Sequence, residues 1–137
     1  MKKRPLHLFL ATVTLYLLAS TSAVAKPDFN KLSQHYAQQG GKDFNADRGK
    51  AFWLKEQVSD SGDKMNCGSC HGSDLKLAGK HNKSGKLIEP MASSVNPERY
   101  SDLEKVEKWF TRNCKQVLQR ECTAQEKGDV LRYLSQF

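Results

Sequence analysis

Apolar residues recur at helical spacing in four stretches of the chain, and one long stretch between them follows no period. Phe29, Leu32 and Tyr36 fall on one helical face, with Asp28 at the capping position and Gly40-Gly41 as a stop. A second helix is predicted from about Ala46 to Val58, carrying Phe52, Trp53 and Leu54; Gly49, four residues before Trp53, would let another backbone approach closely. A third is predicted to begin at Ser101, which forms a capping box with Glu104, and its stripe runs Leu103, Val106, Phe110, Asn113 or Cys114, Val117. The fourth opens with the pair Thr123 and Glu126, a second capping box, and buries Val130, Leu131 and Leu134. With no alternating strands, repeats or low-complexity runs, the pattern predicts an all-α fold.

The irregular stretch, Ser59 to Tyr100, holds about forty residues. A loop of that length inside a compact domain is uncommon unless something other than protein supplies its core. The residues it contains suggest what that is. Cys67-Gly68-Ser69-Cys70-His71 has the Cys-x-x-Cys-His spacing of covalent haem attachment. Each thiol adds to one porphyrin vinyl group, and the adjacent histidine then lies under the iron as the proximal ligand. A thioredoxin-like pair would need a βαβ context. A structural zinc site would need four ligands at close spacing, and only Cys114 and Cys122 remain, far along the chain.

The N-terminal pattern differs from the rest. Lys2, Lys3 and Arg4 precede an almost wholly apolar run from Leu6 to Ala19, and Ala23-Val24-Ala25 provides a small-residue cleavage site. The run is short of the ~20 residues a membrane helix needs. Residues 1–25 therefore read as a cleaved signal peptide, and 26–137 as one domain in the periplasm. Of the 22 basic residues three leave with the leader, and of the 15 acidic residues none, so the mature charge is a mild +4. No dense basic stripe with interleaved aromatics points to nucleic acid. In an oxidising compartment a disulfide is the simplest use of Cys114 and Cys122, and closing that loop of about nine residues stabilises by roughly 2.5 kcal/mol on the chain-entropy model.

What lies across the iron decides the role, because a haem with one protein ligand is open to small molecules and a haem with two is usually an electron carrier. Met65 stands too close to Cys67 to cross over, and His35 reads as solvated. His81 sits in a run with Lys76, Lys80, Lys83 and Lys86 that reads as a solvated loop, or less directly as docking for an acidic partner. Met91 follows Pro90 in the loop before a helix, where small electron-transfer cytochromes c carry their methionine; alternatively it is a hydrophobe on the haem edge. Asn113 falls on the apolar stripe of the third helix, where an amide is costly without a partner; taken alone it reads as a helix-end cap.

From about Asn45 onward the chain resembles the SHP (sphaeroides haem protein) group of monohaem cytochromes c. The resemblance is carried by Asp47-Arg48-Gly49-Lys50-Ala51, Cys67 to Gly72, Gly85-Lys86-x-Ile88-x-Pro90, Val106-Glu107-Lys108-Trp109, Arg112-Asn113-Cys114 and Arg120-Glu121-Cys122-Thr123. It implies a class I cytochrome c fold of about four helices around one haem c, with an extra N-terminal helix and a Cys114–Cys122 disulfide. It also implies Asn113 as the sixth ligand of ferric iron, released on reduction so that O2, NO or CO can bind. Electron delivery by a dihaem cytochrome c and a membrane b-type cytochrome follows from the same resemblance, which also leaves room for reaction of bound O2 with NO, the chemistry of a nitric oxide dioxygenase. Trp109, Phe110 and Arg112 are candidate distal-pocket residues as neighbours of Asn113. The group carries another apolar residue where Met91 stands, so an electron carrier ligated by His71 and Met91 stays open. A weak peroxidase is a third reading, for which His81 is the only histidine placed to act.

Overall fold

The computed structural model describes residues 26–58 and 62–137; the expected leader, 1–25, lies outside them. The elements in chain order are α1 (Phe29–Gln38), α2 (Ala46–Leu54), β1 (Gln57–Val58), β2 (Lys64–Met65), α3 (Gly68–His71), β3 (Gly79–Lys80) and β4 (Leu87–Ile88). A 3-10 turn (Pro97–Tyr100), α4 (Leu103–Leu118) and α5 (Ala124–Leu134) complete the chain. Two antiparallel ribbons, β1 with β2 and β3 with β4, are the only sheet structure among the described residues.

The helix starts follow from capping chemistry. Asp28 Oδ1 accepts from Lys31 N at 2.9 Å, and Asn45 Oδ1 accepts from Asp47 N and Arg48 N at 2.9 and 3.0 Å. At α5 the Thr123–Glu126 capping box is complete in both directions. At α4 the cap is Asp102, whose carboxylate accepts from Lys105 N at 3.2 Å, one residue later than predicted. Ser101 instead closes the preceding 3-10 turn, its hydroxyl donating to Glu98 O at 2.9 Å. The second helix also stops short of Val58. Lys55 turns to extended backbone (ψ 116°), and Gln57–Val58 pairs with Lys64–Met65.

α5 crosses α2 and α1, and the crossing with α2 is close. A Cβ on Gly49 would run into the carbonyl of Asp129, so the glycine is required there, as its position in the sequence predicted. Beside this contact Arg48 Nε and Nη2 each donate to a carboxylate oxygen of the buried Asp129 at 2.9 Å, and Asn45 N donates to the same carboxylate at 2.7 Å. The core packs Leu32 and Tyr36 of α1, Trp53 of α2, Val106 of α4, and Val130, Leu131, Tyr133 and Leu134 of α5 around Leu75, Met91 and Tyr100. Glu107 of α4 takes Lys127 Nζ at 2.8 Å and faces His35 Nε2 at 3.8 Å, which ties α1, α4 and α5 together. His35 is therefore half-buried beside Glu107 and not solvated as its polar neighbours suggested. The disulfide joins Cys114 to Cys122, with Cα atoms 5.6 Å apart, and fixes the end of α4 to the start of α5.

Candidate haem site

The irregular stretch forms one side of a cavity of about 1050 Å³, and α4 forms another. The wall includes Cys67, Cys70 and His71, and also Met91 and Asn113.

Local hydrogen bonds shape the attachment motif. Asn66 Oδ1 accepts from Ser69 N at 2.9 Å, Ser69 Oγ accepts from Asn66 N at 2.9 Å, and Asn66 Nδ2 donates to Leu54 O at 3.2 Å. These bonds wind Cys67 to His71 into one helical turn anchored on the end of α2. Cys67 N reaches Trp53 O at 3.2 Å, and Gly72, at φ +77°, ends the turn. The reciprocal Asn66–Ser69 pair went unread in the sequence although its three-residue spacing has the form of a local side-chain cap.

His71 stacks at a tilt beside Trp53, ring centroids 5.3 Å apart. Burial, and secondly the Arg99 guanidinium, lower its imidazole to about 4, so the ring is neutral at pH 7. A neutral imidazole is the form that ligates a metal. His71 Nδ1 is buried with no hydrogen-bond partner among the described residues. Burial pushes the Cys67 thiol up to about 11, and Cys67 and Cys70 are not bridged to each other. Two unbridged thiols, an uncharged imidazole and a mostly apolar cavity of this size fit a covalently held haem c: Cys67 and Cys70 would hold it and His71 would ligate its iron.

Arg99 and Tyr100 also line the cavity. Arg99 donates from Nε to Pro90 O (2.8 Å) and from Nη2 to Glu89 O (2.6 Å), and Tyr100 OH donates to Met91 O at 2.7 Å. With Met91 N and Ala92 N both on Leu75 O, at 2.9 and 2.8 Å, the backbone at 89–92 is held from several directions. Neither Arg99 nor Tyr100 was picked out from sequence, since the carbonyls they hold carry no side-chain signature. Met91 is buried in the core cluster and lines the cavity as well. Met65 is buried beside the attachment motif.

Asn113 lies inside α4, between its Asp102 N-cap and its Gln119 C-cap, so it caps nothing. It is half-buried and lines the cavity, and among the described residues its amide has no hydrogen-bond partner. Trp109, Phe110 and Arg112 line the same cavity, with Arg112 Cζ 5.5 Å from the centroid of the Trp109 ring. Phe110 packs edge-on to Tyr36 at 6.1 Å. His81 is not a solvated side chain: it is half-buried, and its ring meets Ser84 and Gln116.

A helical fold with a Cys-x-x-Cys-His turn opening on a haem-sized cavity defines a monohaem cytochrome c, and haem c is its cofactor. A family model described as a domain of unknown function (DUF1924) matches residues 39–134. The chain is 41% identical over 100 residues to the cytochrome c-type protein SHP of Cereibacter sphaeroides, covering 73% of this chain and 77% of that one. It is 37% identical over 86 residues to cytochrome c'' of Methylophilus methylotrophus, covering 63% and 60%. Among solved structures, oxidised SHP, described as an oxygen-binding cytochrome c, superposes with a TM-score of 0.74 at 38% identity over 82% of this chain and 99% of that one. A solution structure of the Methylophilus cytochrome c'', concerned with haem-ligand detachment, matches with a TM-score of 0.66 at 32% identity, covering 77% and 90%. The chain belongs to the SHP and cytochrome c'' family, as its motifs suggested.

Proposed function

We propose that this cytochrome holds ferric iron between His71 and Asn113, releases Asn113 on reduction, and binds a diatomic gas on the side that opens. The observation that carries the reading is an amide without a hydrogen-bond partner, set mid-helix on the wall of the cavity that also contains His71. This half-buried amide faces a mostly apolar cavity, where whatever fills the cavity must be its partner, and an iron ion would be that partner. When bound, haem c supplies an iron that takes up one electron and can accept a small gas. The Asn113 amide oxygen is a hard, neutral, weak donor that favours ferric over softer ferrous iron. Its departure leaves Phe110 and the Trp109–Arg112 pair around the opened position. Oxygen binding by SHP and haem-ligand detachment in cytochrome c'' support the same reading.

Within this proposal the protein is exported, residues 1–25 are its leader, and its electrons come from a dihaem cytochrome c supplied by a membrane b-type cytochrome. Reaction of bound O2 with NO would make it a dioxygenase. Among the described residues no helix is long and apolar enough to cross a membrane.

A second reading keeps a specific support: Met91 lines the cavity, and its backbone is held by Leu75 O at its N–H and by the Tyr100 hydroxyl at its carbonyl. A thioether would stay on the iron in both redox states and leave an electron carrier. Optical spectra of the holoprotein, ferric and then ferrous under argon, followed by CO or NO, separate the two. A ferrous form that is high-spin and shifts at once with gas supports Asn113. A ferric sulfur-to-iron band, with ferrous haem low-spin and indifferent to gas, assigns Met91. Asn113→Ala with an unchanged six-coordinate ferric spectrum would also remove the first reading.

A further inference from the structure

The β3–β4 hairpin touches two sides of the cavity. At its start, Gly79 packs so closely on the attachment turn that a Cβ there would run into the Cys70 carbonyl oxygen and the His71 Cα. Two residues later, His81 Nε2 lies 2.9 Å from the side-chain amide of Gln116 on α4, 35 residues along the chain. Among the described residues this is the one hydrogen bond that joins the hairpin to α4. Gln116 follows Asn113 by three residues, which places the two on one helical face, and His81, Asn113 and Gln116 all line the cavity.

The ring of His81 is fixed at both nitrogens. Ser84 N donates to Nδ1 at 3.1 Å, and the Ser84 hydroxyl lies 3.0 Å from the same atom. Nδ1 is therefore an acceptor, so in the neutral ring Nε2 carries the proton. The Gln116 atom placed at 2.9 Å is its amide nitrogen, and a half-turn of that amide, which exchanges its oxygen and nitrogen, lets the protonated Nε2 of His81 donate to Gln116 Oε1 and satisfies both contacts. The hairpin is itself closed by His81 N to Lys86 O at 2.9 Å and Gly85 N to His81 O at 2.8 Å. A pull on Gln116 is thus resisted by the hairpin backbone and, through Gly79, by the turn that carries His71.

We propose that residues 79–88 form a strap between the turn that carries His71 and α4, in which His81, acting through Gln116, is a positioning residue that holds α4 where Asn113 would ligate ferric iron and return to it. This rests on Asn113 being the sixth ligand. Loss of the bond loosens α4 and lets Asn113 leave more often.

The test is stopped-flow binding of cyanide to the ferric holoprotein, where the rate at saturating cyanide is the rate at which the sixth ligand departs. Asparagine places its oxygen where histidine has Nδ1, and glutamine places its amide near Nε2, so the two replacements separate the two contacts. His81→Asn and Gln116→Leu should each raise the limiting rate about fivefold, the loss expected for one neutral hydrogen bond. The double variant should be no faster than either single one, since both remove the same contact. His81→Gln should stay within about twofold of the unaltered protein. If His81→Gln accelerates departure and His81→Asn does not, the ring serves only its own turn and the strap is refuted. Unchanged rates in both His81→Asn and Gln116→Leu refute it too. Gln116→Leu leaves the hairpin's internal bonds intact and serves if a hairpin variant does not fold. Asn113→Ala run alongside should abolish the saturation. If saturation persists there, the ligand reading falls and the strap with it; if it vanishes while the His81 and Gln116 variants behave as unaltered, the strap alone falls.

Discussion

An amide at position 113 makes sense only with what surrounds it. A helix interior already satisfies the backbone, so the side chain of Asn113 has to find its own partner or lose free energy on burial. Met91 illustrates the contrast, because a thioether is content as a core hydrophobe. It packs with Leu75 and Tyr100, and its backbone, not its sulfur, takes the hydrogen bonds. Met91→Leu nearly conserves volume, so it should alter stability by less than about 1.5 kcal/mol and leave the ferric and ferrous spectra as they are. Loss of the low-spin ferric spectrum in Met91→Leu would hand the ligand role to the sulfur.

At the scale of elements, α4 carries the proposed switch, and three contacts restrain it. Its first half is held by Glu107, which takes Lys127 of α5 and faces His35 of α1. Its second half is held by His81 at Gln116 and by the disulfide at Cys114. The disulfide follows Asn113 directly, so a free amide can swing while the segment behind it stays in place. Cys122→Ser should cost about 2.5 kcal/mol in denaturant unfolding by the loop-entropy estimate. It should also speed cyanide entry to the ferric haem. Lost stability with unchanged cyanide kinetics would mean that the bridge staples the fold and does nothing for the ligand. The extra N-terminal helix belongs to the same argument, since α1 buries Leu32 and Tyr36 and supplies His35 to the α4–α5 joint.

Across the whole molecule, acid stability turns on carboxylates held in the folded state. Asp129 is buried, which alone would raise its pKa, yet the hydrogen bonds from Arg48, the Asn45 backbone and Gln125 outweigh burial and hold it below its ordinary 3.8. Glu107 is likewise lowered, burial being outweighed by Lys127 and the other groups around it, and Glu126 is lowered by Arg120 first. A lowered folded pKa contributes stability that is present above the unfolded value and lost as pH falls through the folded one. Thermal unfolding should therefore be nearly flat from neutral pH to about 5, and the midpoint should drop below about pH 4. Asp129→Asn should cost about 2 kcal/mol near neutral pH, as charged hydrogen bonds are lost, and flatten the acid limb. An acid limb as steep as in the unaltered chain would move that dependence to other groups.

The sequence by itself determined the parts whose physics is local. Cys67-x-x-Cys70-His71 is legible because covalent attachment demands contiguous residues. The caps at Asp28 and Thr123 are legible because a cap acts over three residues. Gly49 could be marked as a close approach, but only the fold shows that Asp129 is what approaches. Local signals also compete: Ser101 and Asp102 both suit a helix start, and the 3-10 turn claims the serine. The sequence put Asn113 on the apolar stripe of the third helix, but the tertiary structure alone decided that it caps nothing and that its face of the helix lines the cavity, that Arg99 holds the backbone beside Met91, and that His81 reaches across 35 residues to Gln116. Such contacts join residues far apart in the chain through atoms common to many side chains. No spacing rule records them, because it is the packing of α4 against the hairpin and α5 that brings them within reach.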